Sequence, residues 1–465
     1  MHISDKIFKA YDIRGIYPNE INEKNVQKII KSIYTFLKPK SKTTFFTVAL
    51  GYDMRLSSPK LFASAKKALK ELGATIIDLG LVSTPTLYYS LLKYKYDIGV
   101  QISASHNPKE YNGLKIVKRD KNKLIKIGKN TGMDQIKKMA MSNIKFDTQK
   151  HGKIEKNSNV LKTEVADALK SIKPKYIKKL KIVADPGNAM GSLYIQELFN
   201  KIPTDLIKMN FKLDGTFPMH QPDPLQFDTL RSIQKKVIET RADLGIAPDG
   251  DGDRVFFIDE KGEIIPATLI SSLITKEILV KKPCERILVD IRYTNNVKNI
   301  CKKYNGKISI SQVGHALITE QLNKENAVFA GESSGHFYFR ETGGAESSVR
   351  VIITILNVIG RENKPISKIV DSLKSSFESG EINFELSKNV SAQNILNHFA
   401  EDYKMGKVSR LDGLAVDFNN WRFNIRASNT EPLLRLNVEA NDEKTLQDNL
   451  KKILQKMSGF GAKRK

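Results

Sequence analysis

At positions 243 to 254 the chain reads DLGIAPDGDGDR, a short apolar run that breaks into three aspartates at alternate positions, with glycines between them. The apolar part has the length and residue types of a buried strand, and the polar part is a loop at its carboxyl end. Two other stretches have the same shape: DIGVQISASHNP at 97 to 108 and NAVFAGESSGH at 326 to 336. Each is preceded by a strand that ends in an acidic or polar turn and leads into a helical pattern: FTVALGYDMR at 46 to 55, KIVADPGNAMG at 181 to 191 and RILVDIRYTNN at 286 to 296. Alternating strands and helices predict α/β layers with mixed, largely parallel sheets. Three similar α/β units would each carry a polar loop to the carboxyl end of a strand, where open α/β sheets bind ligands.

The last hundred residues break this rhythm. From KPISKIVDSL they pass through SGEINFEL at 379 to 386 and a strand-turn-strand, WRFNIRASNTEPLLRLNVEA, at 421 to 440, then close on a charged helix. This reads as a smaller α+β C-terminal domain. We expect domains over 1–152, 153–255, 256–367 and 368–465. A chain of 465 residues with 40% hydrophobic residues is long enough to bury several cores.

The chemistry is carried by four loops. Carboxylates spaced as in Asp249, Asp251 and Asp253 repel one another unless a cation neutralises them, and a hard divalent ion suits all-oxygen ligands. An EF-hand is excluded because its sixth loop position, which needs glycine, is Arg254 and the flanks read as strands. Magnesium is preferred to calcium, since one loop supplies few ligands and leaves room for a phosphate oxygen. In GESSGH, Glu332 and Ser334 can exchange hydrogen bonds with sugar hydroxyls, and His336 can meet a phosphate or move a proton. In RASNTEP, Arg426, Ser428, Asn429 and Thr430 gather a guanidinium, two hydroxyls and an amide suited to a phosphate dianion. In SASHNP, Ser105 beside His106 invites a hydrolase reading. Ser105 is not set in a G-x-S-x-G elbow, however, and adjacent side chains are expected to point apart, so Ser105 reads better as a phosphate carrier facing the metal loop.

Taken together these loops resemble the α-D-phosphohexomutase family, in particular bacterial phosphomannomutase/phosphoglucomutase. The resemblance spans nearly the whole chain: KAYDIRG at 9 to 15, SASHNPKEYNGLKI at 103 to 116, DGDGDR at 249 to 254, VGHALI at 313 to 318, GESSGH at 331 to 336, SGEIN at 379 to 383 and RASNTEP at 426 to 432. It implies a four-domain enzyme with a central cleft and a phosphoserine at Ser105. It also implies Mg²⁺ held by Asp249, Asp251, Asp253 and the phosphoserine, and a hexose 1,6-bisphosphate intermediate. Glu332 and Ser334 would hold two sugar hydroxyls, and Arg426, Ser428, Asn429 and Thr430 the non-reacting phosphate. Arg14, Lys115, Arg254, His315 and His336 would line the reacting centre, with Arg14, Lys115 and His315 in proton transfer and charge stabilisation, and Tyr11 would bind substrate. GESSGH favours mannose and glucose phosphates over glucosamine phosphate, where the residue at Ser333 is more often Gln. The chain departs from many relatives at Thr319 and in GGAE at 343 to 346, where Asp-Gly is frequent.

The net charge of +25 allows a second class, a basic nucleic-acid-binding protein. Its lysines are scattered and not interleaved with aromatics in a stacking pattern, so no nucleic-acid partner is expected. Cys284 and Cys301 lack CxxC spacing, which argues against a disulfide framework or structural zinc and suits a reducing, cytoplasmic setting. The N-terminal residues lack the apolar core of a signal peptide, and VIITILNVIG at 351 to 360 is too short to span a bilayer and reads as a buried helix. Small phosphosugars are the expected partners, with no membrane contact, and the chain is expected to be a monomer or weak dimer.

Overall fold

The computed structural model describes residues 3–39, 46–148, 152–386, 390–427 and 433–465. Its contacts separate the chain into two compact units, Met1–Pro266 with Ser334–Ile369, and Ala267–Ser333 with Val370–Lys465. The third of the expected α/β regions is thus shared between the units, the division falling inside GESSGH.

In the first unit a seven-stranded sheet comprises β1 (Ile13–Ile16), β2 (Thr47–Tyr52), β3 (Thr75–Leu81), β4 (Ile98–Ile102), β5 (Tyr111–Asp120), β6 (Lys123–Lys126) and β7 (Lys153–Lys156). Its order is β1-β5-β4-β2-β3-β7, with β6 paired to β5. The β4-β2-β3-β7 pairs are parallel, while β1, β4 and β6 meet β5 antiparallel. Alternation along a strand sends Val48 and Leu50 to one face and Ala49 to the other. Val48 and Leu50 join a core with Ile29, Ile33, Leu61 and Ile136 from the helices Glu23–Leu37, Ser58–Glu71 and Met133–Met141. Ala49 packs with Leu87 and Leu91 of the helix Thr84–Tyr94. That helix begins cleanly because Ser83 accepts from the Thr86 N–H and Pro85 sits in its first turn.

A second sheet of the same unit comprises β8 (Leu180–Ala184), β9 (Thr204–Lys208), β10 (Leu244–Pro248), β11 (Val255–Ile258) and β12 (Ile264–Ile265), in the order β12-β11-β10-β8-β9. The helix Ser348–Glu362 carries the VIITILNVIG run, with Val351, Ile352, Ile355 and Leu356 buried, as its apolar periodicity predicts.

In the second unit β13 (Arg286–Asp290) pairs in parallel with β14 (Lys307–Ser311) and β15 (Phe329–Gly331). A separate antiparallel sheet centres on Trp421–Ala427 and Leu433–Ala440, flanked by Leu414–Asp417 and Ile382–Glu385. Phe423, Leu436, Phe399 and Ile453 lie in its core. All its pairings are antiparallel, as an α+β domain requires.

The repeat read from the sequence is present as geometry. In each region the first strand pairs in parallel with the strand that precedes the polar loop: β2 with β4, β8 with β10 and β13 with β15. At or just after the end of each first strand an aspartate accepts from the N–H two residues on: Asp53 from Arg55, Asp185 from Gly187 and Asp290 from Arg292.

Candidate active site

Ser105 follows β4 and is buried, with a left-handed backbone at φ 53°. That conformation is uncommon for serine, and strained backbone persists where its surroundings enforce it. Arg55 supplies the enforcement. Its Nη1 donates to the carbonyls of Pro108 at 2.6 Å and Tyr111 at 3.0 Å, and its Nη2 to those of Ser105 at 2.7 Å and Asn107 at 2.6 Å. Asp53 fixes the guanidinium through its Nε at 3.2 Å. Arg14, held by Asp12 at 2.8 Å, also bonds to the Asn107 side chain.

The positive φ turns Ser105 and His106 to the same side: the Ser105 Oγ lies 3.1 Å from His106 Nδ1. This corrects the expectation that the adjacent side chains would point apart. Burial, reinforced by Arg254, Arg14 and Lys115, holds the His106 imidazole well below its ordinary range, so it is neutral. The same serine hydroxyl donates to Asp249 Oδ2 at 3.1 Å.

The aspartate loop lies directly against this serine. A side chain at Gly250 would sit 2.4 Å from the Ser105 carbonyl oxygen, so glycine permits the approach. Ligand oxygens of Asp249, Asp251 and Asp253 all lie within 4.8 Å of one another, and all three residues are buried. Lys115, reaching in from β5, donates to Asp251 at 2.6 Å and Asp253 at 2.5 Å. Thr84 donates to Asp251 Oδ2 at 2.5 Å, while the Gly252 and Arg254 N–H groups bond to Asp249 Oδ1 at 3.0 and 3.2 Å.

The electrostatics follow from this crowding. Burial and the charges of Asp253 and Asp251 push Asp249 well above the usual carboxylate range. Burial also opposes ionisation of Asp253, but Lys115 and His336 outweigh it and hold that carboxyl well below. Lys115 is held well above its ordinary value, since Asp251 and Asp253 overcome the cost of its burial. Among the described residues Asp251 Oδ1 is buried with no hydrogen-bond partner. Three converging buried carboxylates with an orphaned oxygen fit a hard divalent ion.

His336 Nε2 lies 3.2 Å from Asp253 Oδ1 and receives the Arg254 Nε at 3.4 Å, while its Nδ1 meets the Ser334 hydroxyl at 2.9 Å. Ser105, Arg14, Lys115, Asp249, Asp251, Asp253, Arg254, Ser334 and His336 therefore belong to one network in the first unit. Tyr11 is half-buried, beside Gly128 and just ahead of β1.

Glu332, His315 and Arg426 lie in the second unit. His315 opens the helix His315–Glu325. Glu332 Oε1 is 3.3 Å from Arg292 Nη2, and Arg292 is held by Asp290 at 2.9 Å. Arg426 is buried as the penultimate residue of its strand, its Nη2 2.8 Å from Glu381 Oε2. The expected phosphate ligands Ser428, Asn429 and Thr430 lie outside the described residues.

Arg55, Arg292 and Glu381 were not singled out as site residues from sequence, yet a signal for two of them was present. Asp-x-Arg recurs at the repeat-equivalent positions 53–55 and 290–292, and both copies fold the arginine back onto its aspartate. Ser333 donates its N–H and hydroxyl to Asp290 Oδ2 at 2.6 and 2.8 Å. Its role in the loop is thus to join it to β13. The departure at Glu346 also has an account: it pairs with Lys126, both buried, and that ammonium lies 5.2 Å from the Tyr88 ring centroid and 5.1 Å from that of Tyr338.

Comparison with known proteins agrees with this geometry. Models of phosphoglucomutase/phosphomannomutase α/β/α domains I, II and III match residues 5–145, 163–262 and 262–377, and the model of the C-terminal domain matches 381–456. A phosphomannomutase of Methanocaldococcus jannaschii is 35% identical over 96% of each chain. One of Escherichia coli is 35% identical over 95% of this chain and 96% of its own. The crystal structure of a phosphoglucomutase/phosphomannomutase family protein from Burkholderia thailandensis superposes with a TM-score of 0.88 at 27% identity, covering 99% of this chain and 98% of that one. Four domains in family order, relatives matched nearly end to end and a serine set against a three-aspartate loop lead to one conclusion: the chain belongs to the phosphoglucomutase/phosphomannomutase family of α/β isomerases.

Proposed function

We propose that this chain interconverts hexose 6-phosphates and hexose 1-phosphates, with mannose or glucose as the sugar, through a phosphorylated Ser105 and a hexose 1,6-bisphosphate. The observation that carries the reading is the Ser105 hydroxyl, 3.1 Å from Asp249 Oδ2 in a buried cluster of three aspartates. Phosphoryl transfer depends on positioning and charge stabilisation more than on covalent help, and this site is built for both. Mg²⁺, held by Asp249, Asp251, Asp253 and an oxygen of the phosphoserine, would supply positive charge at the transferring group.

In the forward step a sugar hydroxyl oxygen forms a bond to phosphorus as the Ser105 Oγ–P bond breaks, leaving a bisphosphorylated sugar and a serine alkoxide that takes up a proton. The sugar hydroxyl loses its own proton to a base, for which His336 is the best-placed group of the first unit, while Lys115, held as an ammonium, stabilises charge. The reverse step, with the sugar turned end for end, returns its other phosphate to Ser105. Arg55 keeps the serine presented, Arg14 and Arg254 stabilise charge, and neutral His106 shares the Ser105 hydroxyl. Ser334 and Glu332 are proposed to grip sugar hydroxyls, and Arg426, Ser428, Asn429 and Thr430 the remaining phosphate; Tyr11 is proposed as a substrate contact and His315 as a group for proton transfer. We place the domain boundaries near 152, 255 and 367, and a monomer or weak dimer in the cytoplasm suits such an enzyme.

The test is a comparison of rates with mannose 1-phosphate, glucose 1-phosphate and glucosamine 1-phosphate in the presence of Mg²⁺. Turnover of either of the first two, abolished by Ser105→Ala, is the expected result. Preference for glucosamine 1-phosphate would select the alternative sugar.

A further inference from the structure

The SGEIN stretch takes no part in the chemistry just described, yet its glutamate occupies a notable place. Glu381 Oε2 lies 2.8 Å from Arg426 Nη2 and 3.7 Å from Arg292 Nη1, and Glu381 Oε1 lies 3.1 Å from Arg435 Nη1. Asp290 and Glu332 both pair with Arg292, whereas Glu381 reaches the guanidiniums of Arg292, Arg426 and Arg435. Arg426 is buried, and among the described residues its Nε has no hydrogen-bond partner. Two carboxylate oxygens facing converging guanidiniums copy the way arginines hold a phosphate.

Glu381 also has room to move. Its side chain is 25% exposed, against 4% for Arg426. The residue before it, Gly380, has φ +72° with nothing within 4 Å of where a side chain would project. Ser379 is anchored to Val438 through both backbone hydrogen bonding and its hydroxyl, and Ile382 is buried, so motion would be confined to positions 380 and 381.

We propose that Glu381 is a resident anion: it sits in the phosphate seat of Arg426 and Arg435 until a sugar phosphate displaces it. This rests on the reading that Arg426 receives the substrate's non-reacting phosphate. Without an anion, three clustered guanidiniums repel one another, so the carboxylate keeps them arranged for the ligand. It also caps affinity for phosphate, because binding must first dislodge a competitor. Such a cap suits an enzyme whose bisphosphorylated sugar must release one phosphate from this seat and present the other.

The test is titration calorimetry of the full chain with inorganic phosphate and with glucose 6-phosphate, comparing wild type, Glu381→Gln, Glu381→Asp and Arg426→Ala. Glu381→Gln keeps the shape and removes the charge. It is expected to bind both ligands on the order of tenfold more tightly, with KM for glucose 6-phosphate lowered by the same factor. Glu381→Asp is expected to fall between it and wild type, and carries the test by itself if the Gln variant does not fold. A carboxylate that merely braces the arginines predicts the opposite sign, and equal or weaker binding in these variants overturns the proposal. Arg426→Ala separates the two ideas: if it leaves glucose 6-phosphate affinity intact, the phosphate seat is misplaced. If it abolishes binding while Glu381→Gln fails to tighten it, only the role of Glu381 falls.

Discussion

Replacing Lys115 by methionine should make the first unit dependent on a divalent cation. The ammonium is 3% exposed and lies 2.6 and 2.5 Å from two carboxylates that are themselves 0% and 1% exposed. Removing one partner of a buried ion pair leaves uncompensated charge and costs about 3–5 kcal/mol. The cost should lie toward the upper end here, because Asp249 adds a third carboxyl already pushed above its usual range. A divalent ion can restore the lost positive charge at the orphaned Asp251 Oδ1. At a hundredfold excess over its Kd, an ion that binds only the folded state stabilises by about 2.7 kcal/mol.

Denaturant melts of wild type and Lys115→Met, each in EDTA and in excess Mg²⁺, measure both effects. The variant should be strongly destabilised in EDTA and recover most of the loss in Mg²⁺, whereas wild type gains less because its lysine competes for the same oxygens. The EDTA deficit should shrink as pH falls. Carboxyls whose folded pKa is raised destabilise the fold above their unfolded pKa, and the penalty lifts as they protonate. Equal stability of the two proteins in EDTA, or no extra rescue by Mg²⁺, would mean that Lys115 does not neutralise this carboxylate cluster.

Arg55→Ala should lower kcat on the order of a hundredfold, because a loop whose serine loses four carbonyl anchors is no longer held to reacting geometry; steady-state kinetics with intact phosphorylation of Ser105 checks this. Glu346→Ala strands the buried Lys126 ammonium and should cost about 3–5 kcal/mol in a denaturant melt, with Lys126→Met/Glu346→Leu recovering most of it. His220 is raised above its ordinary range: burial works against it, but Asp185 at 3.1 Å prevails. Its contribution to stability should therefore be full below pH about 6.5, the unfolded value, and be lost as pH rises through the folded value. Melts of wild type and His220→Gln across that range should converge at high pH.

The sequence carried much of this architecture for a definite reason. Buried parallel strands leave continuous apolar runs, and the loops at their carboxyl ends must be polar, so DLGIAPDGDGDR and its two counterparts announce both the strands and the site. Asp249, Asp251 and Asp253 were legible because so many charges at one strand end are otherwise hard to explain, and Ser105 because its loop follows a strand of the same pattern; Lys115, inside β5, was implied only by the family resemblance. The orientation of His106 was not, because it follows from a positive φ at Ser105 that four distant carbonyl bonds to Arg55 impose. Glu381 was hidden for a similar reason: its meaning lies in arginines 45 and 54 residues later in the chain, at positions 426 and 435. The division of the third α/β region between two units likewise depends on packing that local pattern does not encode.

The central claim is that Ser105 carries the phosphate. Its most direct measurement is the intact mass of the purified chain after incubation with glucose 1,6-bisphosphate and Mg²⁺, with the site located by fragmentation. One added phosphate on Ser105, its transfer to added glucose 1-phosphate or mannose 1-phosphate, and no adduct in Ser105→Ala are the expected results. A chain that turns over hexose phosphates while Ser105 remains unmodified, or a Ser105→Ala variant of undiminished activity, would contradict it.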